Sequence, residues 1–352
     1  MLNIQEILTS AIEKGASDVH VIAGQPPIFR VHTELKPQEC PPVTPEEASD
    51  MVRQLVGPRR HAQFLRRRDL DFSAVVPNVA RFRVNAHFQR ESVAVAFRAI
   101  PRTVPALTSL NLPAVVATFT DLPRGLVLVT GETGSGKSTT LAAMIDAMNH
   151  KYAYHVVTLE DPIEYELTPD KSVIEQREVG SDVPTFASGL RHVLRQDPDI
   201  ILVGEMRDLE TTSAAITAAE TGHLVLSTLH TQSAAQTVER IIDIYPSEQQ
   251  NQIRAMLANT LQAVITQTLF KRSDKAGMIP ATEILICNNA VRACIRENRV
   301  FEIPNVIQTN AAKGMLTLDN SIKNLFLNGK ITREDALAKA NLRDWLNQSL
   351  SA

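Results

Sequence analysis

Residues 125–138 read GLVLVTGETGSGKS: a short, nearly continuous apolar run, then a full match to the pattern G-x-x-x-x-G-K-[ST] at Gly131–Ser138. The next residues, STTLAAMIDAM, have helical character. Strand, glycine-rich loop and helix in that order are the context in which the pattern has physical meaning. Glycines at 131, 134 and 136 let the backbone wrap closely around phosphate oxygens. The loop N–H groups and the helix N-terminus present positive potential to them. Lys137 is expected to reach the β- and γ-phosphates, and Ser138 to offer its hydroxyl to Mg²⁺. Thr133, Gly134, Ser135 and Thr139 complete the expected nucleotide-binding set, so ATP and Mg²⁺ are the implied ligands. A glycine-rich turn matching by chance would lack the flanking strand and helix.

Three further apolar runs lie downstream: HVVTLED (155–161), DIILVGE (199–205) and HLVLSTLH (223–230). Such runs suit strands buried on both faces, alternating with helices around a parallel sheet. Each ends in polar residues, and ligands of a parallel sheet sit beyond the carboxyl ends of its strands. One acidic strand end reads most simply as a helix cap or a solvated turn. Three of them beside a phosphate loop read as a site. Water attack on a phosphoryl group needs a metal to neutralise charge and a carboxylate to place the water. Glu205 suits the metal-side role, with Ser138, and Glu160 the water-side role; charge and spacing also allow the reverse. His230 is a candidate sensor of the γ-phosphate, against the plainer reading of a histidine capping a strand. Arg207, between Glu205 and Asp208, reads as a local ion pair. After residue 232 the pattern is mostly helical, with NQIRAMLANTLQAVITQTLF (251–270) the longest periodic stretch.

Upstream, the chain reads as a small α+β unit. Ile4, Ile7, Leu8, Ala11 and Ile12 fall at helical spacing, with Gly15 as a stop. VHVIAG and PIFRVHTEL are strand-like around the turn signal Gly24-Gln25-Pro26-Pro27. Thr44, Pro45 and Glu47 form a capping-box start for a second helix, and ARFRVNAHFQR and ESVAVAFRAI alternate as strands. Arg81 and Arg83 share one strand face, and Arg98 lies on the next strand. Structural ion pairs are their plain reading; completing a neighbouring subunit's site is the functional one. The proline-bearing stretch PRTVPALTSLNLP interrupts the pattern, since proline blocks helix continuation and central strand pairing. The domains expected are therefore 1–102, a linker at 103–113, and an α/β domain at 114–352.

The 352 residues are 44% hydrophobic and 21% charged, with a net charge of -3. That excludes a disordered chain and gives no global attraction to nucleic acid or anionic lipid. The run Arg66-Arg67-Arg68 is followed at once by Asp69 and Asp71, as on a solvated face. Three cysteines without a C-x-x-C pair argue for a reducing compartment, with neither disulfides nor a zinc site. No apolar run approaches the roughly 18 residues of a membrane span. The N-terminus is amphipathic with acidic residues, unlike a signal peptide. A cytoplasmic protein is expected, reaching the membrane through a partner.

At GASDVHV, FRVNAHFQR, GETGSGKSTT, LEDPIEY, QREVG, LRQDPDIILVGEMRDLET and AAETGHLVLSTLHT the chain resembles the type IV pilus retraction ATPases, the PilT branch of the secretion ATPase superfamily. The resemblance spans essentially the whole length, and AVRACIRE (290–297) resembles that branch's A-I-R-N-L-I-R-E segment. It implies an N-terminal PAS-like domain, a RecA-like ATPase domain and a homohexamer with nucleotide between the domains. The family's Asp box falls on Glu160, Asp161 and Glu164, its Walker B glutamate on Glu205, and its His box on His223 and His230. Its arginines that reach across the site fall on Arg83 and Arg98, with Arg81 beside them, and Arg292, Arg296 and Glu297 fall in the retraction segment. The implied activity is ATP hydrolysis coupled to domain rotation. That rotation would turn an inner-membrane platform protein of the pilus machinery and remove pilin from the fibre. Departures are Glu132 in place of a common proline, ELTPDKSVIEQ after the Asp box, and Ala293-Cys294 in place of asparagine and leucine. The alternatives are a pilus assembly or type II secretion ATPase, which usually carries a tetracysteine motif absent here, and a paralogous accessory retraction ATPase. A small-molecule kinase would need an acceptor pocket and an arginine-rich lid. A non-hydrolysing scaffold would be expected to lack Lys137, Glu160 or Glu205.

Overall fold

Asn3 opens the first helix, Ile4–Glu13, its side chain accepting the Gln5 N–H, and Ile4, Ile7, Leu8 and Ala11 turn inward at helical spacing. The computed structural model describes residues 3–31, 34–77, 79–100 and 103–350. These form two compact units: residues up to Thr103 together with Asp161–Glu166, and Val104–Glu160 together with Leu167 onward.

The first unit holds six strands: β1 (Asp18–Ile22), β2 (Ile28–Val31), β3 (Glu34–Pro37), β4 (Asp69–Val76), β5 (Ala80–Gln89) and β6 (Ser92–Ile100). They pair antiparallel in the order β3-β2-β1-β6-β5-β4. The single strand expected over PIFRVHTEL contributes to two paired strands, and β4 is an additional strand outside the sequence reading. The helix Pro45–Arg67 starts at the capping box Thr44/Glu47, kinks at Gly57-Pro58, and ends with Arg66 and Arg67 in its last turn. Basic side chains there complement the helix dipole, which gives the exposed arginine run a local structural role. Leu8, Phe29, Phe64, Phe72, Phe82 and Phe97 fill the core, with Phe82 and Phe97 edge-to-face at 6.2 Å. Each such buried ring contributes about 1.5–3 kcal/mol.

The second unit is built on seven strands: β7 (Gly125–Thr130), β8 (His155–Glu160), β9 (Val173–Glu178), β10 (Ile200–Val203), β11 (Leu224–Leu229), β12 (Leu261–Lys271) and β13 (Met278–Ile286). Their order is β13-β12-β7-β11-β10-β8-β9. All neighbours pair parallel except β12 and β13. Apolar residues alternate between the faces. Val127, Val129 and Leu226 meet the helix Lys137–Lys151 through Leu141, Met144 and Met148. Leu126, Leu128 and Val225 meet the helices Leu209–Glu220, Ala234–Asp243, Gln250–Thr260 and Asn289–Arg296. The stretch read as a linker carries a 3-10 turn, Leu107–Leu110, and its Val104, Leu107 and Leu112 pack against this core.

The expected long helix over 251–270 is not one element. The helix stops at Thr260, and LQAVITQTLFK continues as β12, paired with β7 and β13. A strand buried on both faces has apolar residues at most positions, so its spacing also satisfies a helical template. Beyond β13, the helices Leu318–Leu327, Arg333–Ala338 and Arg343–Ser349 close a small core around Phe270, Ile322 and Leu346. Among the described residues no helix is long and apolar enough to cross a membrane.

Candidate functional site

Register decides what meets at the carboxyl edge of the second unit's sheet. Leu159 pairs with Val203, Val203 with Ser227, and Leu229 with Thr130. Glu160, Glu205, His230 and Gly131 therefore leave the sheet on one edge, from the adjacent strands β8, β10, β11 and β7. Side chains lock the ends together. Ser227 Oγ donates to Val203 O at 2.7 Å and Thr228 Oγ1 to Gly204 O at 2.6 Å.

Between β7 and the helix Lys137–Lys151, the loop turns on Gly131 (φ 133°), Gly134 (φ 80°) and Gly136 (φ 90°). A Cβ at Gly131 would stand 2.2 Å from Gln267 O and 2.7 Å from Ser135 Oγ, so only glycine fits there. Lys137 is buried, and its Nζ donates to Gly131 O and Glu132 O, each at 2.8 Å. The ammonium is thus folded into the loop that would hold the phosphates. Thr133 and Gly134 are exposed, and Ser138 and Thr139 half-buried. Ser135 Oγ and Gln267 Oε1 are buried with no hydrogen-bond partner among the described residues, while Gln267 Nε2 donates to Thr140 Oγ1 at 2.9 Å.

Glu205 lies just past β10. His230 Nε2 sits 3.1 Å from its Oε1, and Arg207 Nε donates to the same oxygen. The local Arg207 ion pair anticipated from sequence is present. Glu160 ends β8, where its Oε1 accepts from Thr158 Oγ1 at 2.6 Å and from Gln176 Nε2 at 3.1 Å. Glu132 is exposed, and its Oε1 accepts from Gln232 Nε2 at 3.0 Å, linking the phosphate loop to the loop that carries His230. Gln176, Gln232 and Gln267 were missed by sequence reasoning, because only the strand order brings them to this edge. His223, the other histidine of the family's His box, opens the strand that His230 ends. It precedes β11, at the opposite edge from His230, with its Nδ1 2.9 Å from Ala218 O.

The three arginines lie on β5 and β6 of the first unit. Arg81 donates to Ser73 Oγ at 2.7 Å and to Glu166 at 2.9 Å. Arg83 and Arg98 are register partners. Arg98 Nε donates to Asp18 at 2.9 Å, with Arg30 3.6 Å from the same carboxylate, and Arg83 lies 3.9 Å from Glu164. Burial alone would push Asp18 up. The hydrogen bonds from Arg98 and Ser17 and the charges of Arg98 and Arg30 outweigh it, so the carboxyl lies below its ordinary value. In the C-terminal segment, Arg292 Nη1 donates to Ala258 O at 2.6 Å and Asn259 O at 3.0 Å. It thereby satisfies carbonyls at the end of the helix Gln250–Thr260.

The family model described as type II/IV secretion system protein matches residues 2–299. A Pseudomonas aeruginosa protein described as a type IV pilus retractation ATPase, PilT, is 46% identical over 341 residues, covering 97% of this chain and 99% of the relative. A Neisseria gonorrhoeae protein described as a twitching motility protein is 46% identical, covering 94% of this chain and 88% of its own. A crystal structure of the pilus retraction motor PilT with bound ADP superposes with a TM-score of 0.92 at 43% identity, covering 99% of this chain and 100% of that one.

Proposed function

The chain belongs to the type II/IV secretion system protein family, and we propose that it is the ATP-hydrolysing motor that retracts type IV pili. It is an ATPase, converting ATP and water to ADP and phosphate. The observation that carries the chemistry is one sheet edge holding the phosphate loop with Lys137 beside Glu160 and the pair Glu205–His230. The retraction role rests on the relatives described above.

The loop amides, with Lys137 exchanging its carbonyl partners for phosphate oxygens, would bind the triphosphate. Glu160, oriented by Thr158 and Gln176, would accept a proton from the attacking water or aim it. Glu205 would act on the metal side, with His230 reporting the γ-phosphate to the strand end. Ser138 and Glu205 are hard oxygen donors that fit Mg²⁺. Among the described residues no group of three His, Cys, Asp or Glu could hold a metal by itself, in keeping with a cation shared with phosphate oxygens and water. When bound, Mg²⁺ would neutralise charge on the transferring phosphoryl group.

A homohexamer would let Arg83 and Arg98 meet the γ-phosphate of a neighbouring subunit, with Arg81 held beside them. Two arginines directly opposite on adjacent strands repel each other, and an arriving anion would relieve that repulsion. The motor would engage an inner-membrane platform protein of the pilus machinery and sit peripherally at the membrane on its cytoplasmic side. Cys294, where the retraction branch has leucine, is buried in the helix Asn289–Arg296 and keeps the apolar packing. Deletion in the native host, scored for surface pili and twitching, tests the proposal. Piliated, immobile cells are expected; bald cells would contradict it.

A further inference from the structure

Behind the site stands a buried carboxylate that the reaction scheme does not use. Glu283, on β13, is 8% exposed, and its Oε1 accepts the backbone N–H of Ala234 at 2.7 Å. Burial and the neighbouring Asp319 charge push the carboxyl up from its ordinary value, while the backbone N–H groups of Ala234 and Leu318 favour its charged form. Ala234 and Leu318 are the first residues of the helices Ala234–Asp243 and Leu318–Leu327. One carboxylate thus serves two helix N-termini, whose unpaired N–H groups and positive dipole ends favour a negative charge. Capping alone does not account for it. Each helix already has its own cap, Ser233 accepting from Gln236 N and Thr317 from Asn320 N. Burying a carboxylate costs free energy that a neutral hydroxyl cap does not. What Glu283 adds is position.

The helix Ala234–Asp243 is where the loop after β11 lands, and only Thr231, Gln232 and Ser233 separate His230 from Ala234. That short loop is bound to the helix it enters. Thr231 Oγ1 lies 2.7 Å from Thr237 Oγ1, and Gln232 N donates to Gln236 Oε1 at 3.2 Å. Where the helix begins therefore sets where His230 sits. On its other side, Glu283 is the register partner of Thr266 on β12. The Thr266 hydroxyl lies 2.9 Å from that of Thr130, the residue before Gly131. The carboxylate ties the histidine loop and the phosphate loop to one frame.

We infer that Glu283 is a positioning residue for hydrolysis: by holding the Ala234 amide it keeps His230 in place against Glu205, in register with the phosphate loop. This rests on the role given to His230 above. The test is steady-state ATP hydrolysis by the full chain carrying Glu283→Gln, Glu283→Asp, His230→Ala, and Glu283→Gln with His230→Ala. Glu283→Gln lowers kcat about tenfold, with the KM for ATP changed less than about twofold. In the His230→Ala background the same change lowers kcat less than about twofold, because a residue acting through another is not additive with it. Glu283→Asp, one methylene shorter, falls in between. An equal loss with and without His230, or a raised KM at constant kcat, overturns the inference. So does insolubility of both Glu283 variants, since the carboxylate would then be holding up the fold rather than aiming the histidine. A His230→Ala chain with full kcat would instead refute the role of His230, and this inference with it, which separates the two failures.

Discussion

His230 Nε2 lies 3.1 Å from Glu205 Oε1, across the ends of strands that are neighbours in the sheet. The contact joins an imidazole to the carboxylate proposed for the metal side. A change at the γ-phosphate would therefore reach β10 and β11 together, whose ends are already tied by the Ser227 and Thr228 hydroxyls.

Glu205→Gln removes charge while keeping shape, so it should act on the transition state rather than on ground-state binding. Turnover should fall about 10²–10³-fold, with nucleotide affinity largely kept. Parallel kinetics and nucleotide titration check this; equal losses in both would contradict it.

Lys137→Ala removes the one ammonium folded into the phosphate loop. Nucleotide binding or turnover should be abolished. Normal hydrolysis by this variant would remove the loop from the mechanism.

Arg83 and Arg98 are proposed to act on a neighbouring subunit. Mixing Arg83→Ala chains, which keep an intact phosphate loop, with Lys137→Ala chains, which keep the arginines, should restore part of the activity that each lacks alone. A mixture no more active than its components would count against action between subunits.

Two loop glycines should respond differently. Gly131→Ala places a Cβ 2.2 Å from a backbone oxygen at φ 133°, whereas Gly134→Ala meets nothing within 4 Å at φ 80°. The first should cost about 2–4 kcal/mol and nucleotide binding with it. The second should cost only the left-handed backbone strain, about 1–2 kcal/mol. Thermal unfolding with and without nucleotide separates them.

Acid should weaken the first unit through Asp18. Its folded carboxyl lies below the ordinary value of 3.8, so its contribution is present above that value and lost as pH falls through the folded one. Asp18→Asn should lower stability at neutral pH and flatten the decline below pH of about 4. A decline in acid as steep as that of the unaltered chain would assign it to other groups.

The nucleotide loop and the strands β7, β8, β10 and β11 were legible because runs of four to six residues buried on both faces leave a nearly unbroken apolar trace. The first N-terminal helix was legible through its apolar spacing, and the second through its capping box, Thr44 with Glu47. β12 was not, since Leu261, Val264, Ile265 and Leu269 satisfy a helical spacing as well as a buried strand. That misreading also hid Gln267. Gln176, Gln232 and Glu283 each owe their contacts to strand order and helix placement, which no local pattern encodes. His223 and His230 were legible as the two ends of one strand, because six buried residues, Leu224–Leu229, lie between them.

On the proposed function, one sheet edge gathers both carboxylates and the histidine around a single triphosphate. A structure of the full chain with Mg²⁺ and a non-hydrolysable ATP analogue tests it most directly. Glu160, Glu205 and His230 are all expected within reach of the terminal phosphate, its metal or one bridging water. A terminal phosphate held by Lys137 with both carboxylates turned away and out of such reach would contradict it.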